Sequence, residues 1–303
     1  MGSLMLLDTA SLYYRAFYGV PDTVTAPDGT PVNAVRGLLD MTARLVRARE
    51  PARLIACWDE DWRPAFRVQA LPSYKAHRVA QGNEEQTPPG LVPQVPIIRE
   101  VLDAAGVPVA GATGYEADDV IATLAVAAGQ PVDVITGDRD LFQLVDDQRG
   151  VRIVYTVRGL TKLEIIDEGA VTARYGIPGR AYADFAVLRG DPSDGLPGVP
   201  GVGEKTAAAL VRSIGGIGDI ITALDKGHGG FPPGSRAKLT AARTYLDVAP
   251  AVVRTATDVP LAPVGGDLPL TIADPDRLTE LGGRWRLGSS LARFTAAVTL
   301  NGR

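Results

Sequence analysis

The sequence predicts an α/β fold with a largely parallel sheet, followed by a helical region. Three observations carry this reading. Short apolar runs alternate with helical stretches through about residue 167, several of those runs close on an aspartate, and from about residue 168 helical spacing continues without a clear strand.

Leu4 to Leu7 is an apolar run ending in Asp8, and a helical stretch containing Arg15 follows. Val32 to Arg49 has helical spacing, with Leu38, Leu39, Leu45 and Val46 on its apolar side. Leu54 to Trp58 is a second apolar run, closed by Asp59. Residues 62 to 90 break the rhythm. Trp62-Arg63, Phe66-Arg67 and Tyr74-Lys75-Ala76-His77-Arg78 interleave aromatics with cations, which predicts an insertion with a basic, partly aromatic surface or a solvated amphipathic helix. Leu91 to Ala105 returns to helical spacing and Val107 to Val109 predicts a short strand. Val132 to Thr136 is a third strand, ending in Gly137-Asp138-Arg139-Asp140, and Val151 to Thr156 and Leu163 to Ile166 are further strands around a turn at Arg158-Gly159.

A parallel sheet binds its ligand outside the carboxyl ends of its strands, so Asp8, Asp59 and Asp138 share one edge. Tyr115-Glu116-Ala117-Asp118-Asp119 adds three carboxylates just before the apolar run Val120 to Ala128. Acidic residues are favoured at a helix start by its free N–H groups. Yet two carboxylates about 4 Å apart repel by roughly 4 kcal/mol at an effective dielectric near 20, so a shared cleft calls for positive charge.

In the second half, Glu168 to Tyr175 and Ala181 to Arg189 read as short helices, and Gly190 to Thr206 leads into a helix from Ala207 to Ser213. Glycines at 198, 201 and 203 permit close backbone approach, and the helix start behind them offers N–H groups to phosphate. A nucleotide-binding P-loop fails by one position, because Glu204 stands where its lysine belongs, and no strand leads into it. Lys226 to Lys238 is Gly/Pro-rich and reads as a loop, and the tail after Pro250 as helices and turns.

Composition narrows the class. The single cysteine, Cys57, and two histidines exclude an internal disulfide and a Cys- or His-built metal site. No run of about 18 apolar residues and no secretory leader is present, which gives the expectation of a soluble cytoplasmic protein without membrane association. The net charge of −4 argues against a nucleic-acid partner, unless acidic residues are tied up in a metal site. Setting nine aside leaves 26 acidic against 31 basic residues.

Several blocks together resemble the flap endonucleases, or 5′ nucleases, and are similar to the N-terminal nuclease domain of bacterial DNA polymerase I. They are Leu6-Leu7-Asp8 with Arg15-Ala16-Phe17, Ser73 to Arg78, Tyr115 to Ala125, Thr136 to Leu144 and Gly190 to Ala209, in family order. The resemblance implies a PIN-like nuclease domain over 1–167 with a helical arch at about 62–90. It further implies a helical DNA-binding region over 168–303, with a helix–three-turn–helix at about 185–215. It puts Asp8, Asp59, Glu116, Asp118, Asp119, Asp138, Asp140, Asp191 and Asp194 on metal-site positions. Oxygen ligands suit two or more Mg²⁺ or Mn²⁺ ions, which activate a water and stabilise the leaving oxygen. Lys75, Arg78 and Arg15 fall on phosphate-contacting, catalytic positions; Tyr74, Gly198, Gly201, Gly203, Lys205 and Thr206 fall on DNA-binding ones, where the hairpin also binds a monovalent cation such as K⁺. The implied partners are DNA with a 5′ flap, nick or free 5′ end, and a polymerase and ligase acting beside a monomeric, stand-alone nuclease. Thr9, Glu60 and Gly195 depart from the family pattern, where glycine, a small residue and asparagine are common. A PIN-like ribonuclease and a flap-binding protein without catalysis are the rival readings.

Overall fold

The computed structural model describes residues 2–80, 84–156, 159 and 162–299. Residues 81–83 of the expected arch and Arg158 of the expected turn lie outside the described residues. The strands are β1 (Leu4–Asp8), β2 (Arg53–Cys57), β3 (Val109–Ala110), β4 (Val132–Thr136), β5 (Val151–Tyr155) and β6 (Glu164–Ile166). They form one sheet in the order β3-β2-β1-β4-β5-β6. All neighbours are parallel except β5 and β6. The chain builds outward from β1 on one side and then crosses to β4 on the other. This places the topological switch point, where α/β sheets open a crevice, at the end of β1.

Between the strands run α1 (Thr9–Gly19), α2 (Asn33–Arg49), α3 (Ala65–Ala70), α4 (Gln94–Ala105) and α5 (Ala117–Ala127). Strand residues alternate between two cores because side chains on a strand point to opposite faces. Leu4, Leu6, Ile55, Cys57, Val132 and Val134 face one core. Met5, Leu7, Leu54, Ala56 and Ile135 face the other, with α2 and α4. Burial on both faces accounts for the uninterrupted apolar runs of the sequence.

Beyond the sheet lie α6 (Glu168–Tyr175), α7 (Tyr182–Arg189), α8 (Glu204–Ser213), α9 (Ile217–Asp225), α10 (Ser235–Ala241), α11 (Arg243–Val253), α12 (Pro275–Arg284) and α13 (Gly288–Thr299). α6 through α11 extend the first core through Val171, Phe185, Leu210, Leu239 and Leu246. The tail departs from the expectation of one helical DNA-binding region over 168–303. Leu278, Leu281, Leu287, Phe294 and Val298 of the α12–α13 segment join the second core beside Met5 and Leu7. The expected loop at 226–238 is shorter, because α10 begins at Ser235, whose hydroxyl donates to the Pro232 carbonyl at 2.7 Å. No single helix among the described residues is long and apolar enough to cross a membrane.

Asp133, near the start of β4 and so at the opposite edge of the sheet from the carboxyl ends, is buried and takes Nε–H bonds from Arg49 of α2 at 2.7 Å and Arg152 of β5 at 2.6 Å. Burial favours its neutral form, but the two guanidiniums outweigh burial and hold its pKa below the usual carboxylate value. A depressed folded-state pKa means stability that is present above about pH 4 and lost as pH falls through the folded value. Asp133→Asn is therefore expected to cost about 1–3 kcal/mol in urea unfolding at pH 7, with the difference from wild type vanishing by about pH 2–3. An unchanged midpoint at pH 7 would remove this pair from the forces that hold the sheet.

Candidate metal centre

Three strand ends build the floor of the site. Asp8 closes β1 and caps α1, accepting the Ser11 N–H at 3.1 Å and the Thr136 hydroxyl proton at 2.6 Å. The same Thr136 hydroxyl oxygen accepts the Asp138 N–H at 2.8 Å, and Asp138 in turn accepts the Asp140 N–H at 2.8 Å. Gly137 N–H donates to the Ser11 hydroxyl at 2.9 Å, so the ends of β1 and β4 are laced together. Asp59, just past β2, accepts the first free amide of α5, from Ala117, at 2.7 Å. These bonds fix one or two oxygens of each acid.

The result is a cleft of about 370 Å³ lined by Asp8, Asp59, Asp118, Asp138, Asp140, Asp191 and Asp194, with Glu116 and Glu85 in its wall. Burial and mutual repulsion set the electrostatics. Burial, with the Asp59 and Asp138 charges, pushes Asp8 up to about 7, and burial pushes Asp59 up to about 6. Asp118 and Asp140 are raised well above the carboxylate range by burial and then by Asp138. Asp140 Oδ1 is buried with no hydrogen-bond partner among the described residues. An all-oxygen donor set, crowded and short of neighbouring positive charge, fits a hard divalent cation. Among the described residues no three of these groups close into a finished ligand shell, so the site is a wide one.

The arch supplies cations, although they turn inward instead of forming a basic surface. Lys75 Nζ donates to Glu116 at 2.8 Å, and Arg78 donates to Asp194 at 2.8 Å and to the Ser193 carbonyl at 2.7 Å. Burial opposes the Lys75 charge, but Glu116, Tyr74 and Asp194 together outweigh burial and keep the ammonium protonated. Arg63 braces the same segment through the Tyr74 and Pro72 carbonyls. Arg67 of α3, expected on the surface, is only 2 % exposed. Its guanidinium donates to Glu116 at 2.9 Å, to both oxygens of Asp119 at 2.8 and 2.6 Å, and to the Val252 carbonyl of α11 at 2.9 Å.

Several expected site residues therefore have other places. Asp119 does not line the cleft; a bidentate pair with Arg67 and the Ala256 N–H consume both of its oxygens. Glu116 is in the wall, but Arg67, Lys75 and the Tyr74 hydroxyl engage it. Tyr74 is thus a buried support of Glu116, 4 % exposed, and not a DNA-contacting surface. Arg15 stops short of the cleft lining and packs beside Gly137, where a Cβ would lie 3.5 Å from its Nη2. Gly198 is buried: a Cβ there would meet the Arg189 carbonyl oxygen at 2.5 Å, so its smallness closes the turn onto α7. Gly201, Gly203 and Lys205 are exposed at the start of α8, and Thr206 is half-buried.

The departures also find reasons. Gly195 has φ +71, and a Cβ would come within 2.1 Å of the Ser73 carbonyl, so the 191–195 turn docks directly against the arch base. Ser73 hydroxyl donates to the Gly195 carbonyl at 2.9 Å and Lys75 N–H to the Asp194 carbonyl at 2.9 Å across that seam. Glu60 pairs with Arg99 at 2.7 Å and is structural. Thr9 is buried in the first turn of α1. Residues unforeseen in the sequence are Glu85 and Arg139 in the cleft lining, and Arg67 and Arg189 behind it. Asp191 accepts from Ser193 N–H at 2.9 Å and pairs with Arg189 at 3.4 Å and Arg139 at 3.5 Å. Burial acts upward on Asp191, but Ser193 and the two arginines hold its pKa below the usual value.

Removing Arg67 leaves Glu116 and Asp119 buried and facing each other. Arg67→Ala is expected to cost about 3–5 kcal/mol in urea unfolding, and Arg67→Lys to recover only part, since an ammonium cannot make the bidentate pair. A loss below about 1 kcal/mol would show that the two carboxylates relax to water.

Known proteins are similar to this chain in sequence and fold. The profile described as the 5′-3′ exonuclease N-terminal resolvase-like domain matches residues 3–176, and that of the 5′-3′ exonuclease C-terminal SAM fold matches residues 177–276. A 5′-3′ exonuclease of Streptomyces coelicolor is 56 % identical over 300 residues, covering 97 % of this chain and all of that one. DNA polymerase I of Mycobacterium tuberculosis is 40 % identical over 283 residues, covering 92 % of this chain and 30 % of the polymerase. A bacteriophage T5 flap endonuclease, solved as a pseudo-enzyme-product complex with DNA and metal ions, shares the fold at 17 % identity and a TM-score of 0.65, over 98 % of this chain and 97 % of that one. The chain belongs to the 5′-3′ exonuclease family, nucleases that hydrolyse phosphodiester bonds.

Proposed function

We propose that the protein is a structure-specific 5′ nuclease that cuts DNA bearing a 5′ flap, a nick or a free 5′ end, leaving 5′-phosphate and 3′-hydroxyl ends. The observation that carries the reading is the joining of three parts in one place. The acidic cleft, the arch cations Lys75 and Arg78, and the turn leading to α8 meet through the Ser73–Gly195 seam. The T5 relative of this fold holds DNA and metal ions.

Mg²⁺ or Mn²⁺ ions are the cofactors this reading calls for; they would polarise the phosphodiester and lower the pKa of an attacking water. Asp8, Asp59, Asp118, Asp138 and Asp140 are the cleft aspartates without a cationic side-chain hydrogen bond among the described residues, and they would hold such ions. Asp191 and Asp194 form the far wall, each already balanced by arginine. Lys75 is kept charged and half-withdrawn by Glu116, ready to face negative charge that grows on the phosphate. Arg78 anchors the arch to the 193–194 turn while lining the same cleft. The exposed amides before α8 and the Lys205 side chain would track the duplex backbone. A monovalent cation at the turn is not needed for this reading, because the Gly201 carbonyl already accepts a proton from Lys238 Nζ at 2.8 Å. The setting we envisage is a cytoplasmic monomer working near the nucleoid, trimming flaps left by a polymerase so that a ligase can seal.

End-labelled 5′-flap, nicked-duplex and single-stranded DNA, incubated with Mg²⁺, Mn²⁺ or chelator, test the proposal. Cutting is expected only with a divalent ion, and fastest where duplex adjoins the flap. Cleavage in chelator, or indifference to duplex, overturns it. Asp138→Ala is expected to abolish detectable turnover while flap binding persists. Lys75→Ala is expected to lower kcat by about 10²–10³ with little change in KM.

A further inference from the structure

We infer that Lys238 is the built-in cation of the turn before α8: it binds the Gly201 carbonyl and offers its remaining N–H groups to a duplex phosphate, so the turn grips DNA without a free monovalent ion. This rests on the nuclease reading above and adds a DNA-binding residue from outside the turn.

The turn presents its carbonyl outward because Gly201 sits at φ +77, a conformation that side chains resist. The ammonium that meets this carbonyl comes from α10, 37 residues further on, at 2.8 Å. Gly201 also makes room for it, since a Cβ there would lie 3.0 Å from Lys238 Nζ and 3.2 Å from its Cε. The position of Lys238 is fixed from both sides. Leu239, next in sequence, is fully buried, and Ser235 locks the start of α10.

Stability alone does not account for the contact. Ordering an exposed lysine costs up to about 2 kcal/mol of rotamer entropy, and one hydrogen bond in water returns about 1 kcal/mol. An ammonium carries three donors, and this bond uses one. Lys238 is exposed, so the other two face solvent beside the Gly201 turn, which is itself exposed just before α8. Arg236, on the same helix, contrasts with it: its guanidinium is committed to the Leu224 and His228 carbonyls and stacks on Phe231. A cation paired with a carbonyl instead of a carboxylate keeps its full charge for an incoming phosphate.

The test measures binding of a fluorescent 5′-flap duplex by anisotropy, in chelator, for wild type and Lys238→Met. Each is titrated in KCl and in tetramethylammonium chloride at equal ionic strength, and melting temperature checks folding. Wild type is expected to bind within about twofold in the two salts. Lys238→Met is expected to bind about tenfold more weakly in tetramethylammonium, to regain part of that in K⁺, and to show a salt slope lower by about one, at unchanged melting temperature. A wild type that requires K⁺, or a variant that binds as wild type does, overturns the inference while leaving the nuclease reading standing. Wild type that binds no flap duplex at all, and shows no Mg²⁺-dependent cutting, removes both.

Discussion

Repulsion among carboxylates gathered at the ends of β1, β2 and β4 is the constraint that the surrounding structure answers. Asp8, Asp118 and Asp140 each shift toward their neutral forms, because burial takes away water and their neighbours carry the same charge. Left alone, such a cluster would open the sheet edge. Two devices prevent it. Backbone and hydroxyl donors pin the floor acids, through Ser11, Thr136 and Ala117. Guanidinium and ammonium groups neutralise the wall, through Arg67, Lys75, Arg78, Arg139 and Arg189.

The second device explains the odd position of the arch base. α3 is short, yet it delivers Arg67 to the α5 start and to the last carbonyls of α11 at once. The helical region is thereby tied to the metal wall through one side chain. A parallel tie runs through the Ser73–Gly195 seam, where only glycine lets the two backbones meet. The base of the arch and the 191–195 turn are therefore packed as one unit.

The sheet and most of the cleft are legible in the sequence because their signals are local. Parallel strands buried on both faces must be written as apolar runs, and Asp8, Asp59 and Asp138 follow those runs directly. The direction of a side chain within an irregular stretch has no such signature. Arg67, a surface residue by its sequence context, is the most buried cation among the described residues, and Tyr74 follows the same logic, since both face an acid more than 40 residues away. The tail escapes a sequence reading for a related reason: the amphipathic pattern of α12 and α13 says that they need a partner, but not that the partner is α2 and the far face of the sheet. Gly198 and Gly201 look alike in sequence, yet one closes on the α7 backbone and the other faces outward to an ammonium.

The acids of the Tyr115 to Asp119 cluster show how one short segment serves both ends of this design. Asp119, the deepest, is fully neutralised by Arg67 and holds α5 to the helical region. Glu116 stands between, shared by the buried guanidinium of Arg67 and the ammonium of Lys75 in the cleft lining. Asp118, on another side of the helix, makes no ion pair among the described residues and lines the cleft, where burial and then Asp138 and Asp8 raise its pKa. A helix places successive residues about 100° apart, so a run of acids at one N-terminus cannot all face one cleft. That geometry, more than the count of carboxylates, divides the cluster into one acid that faces the open cleft and two that are held by cations in and behind its wall.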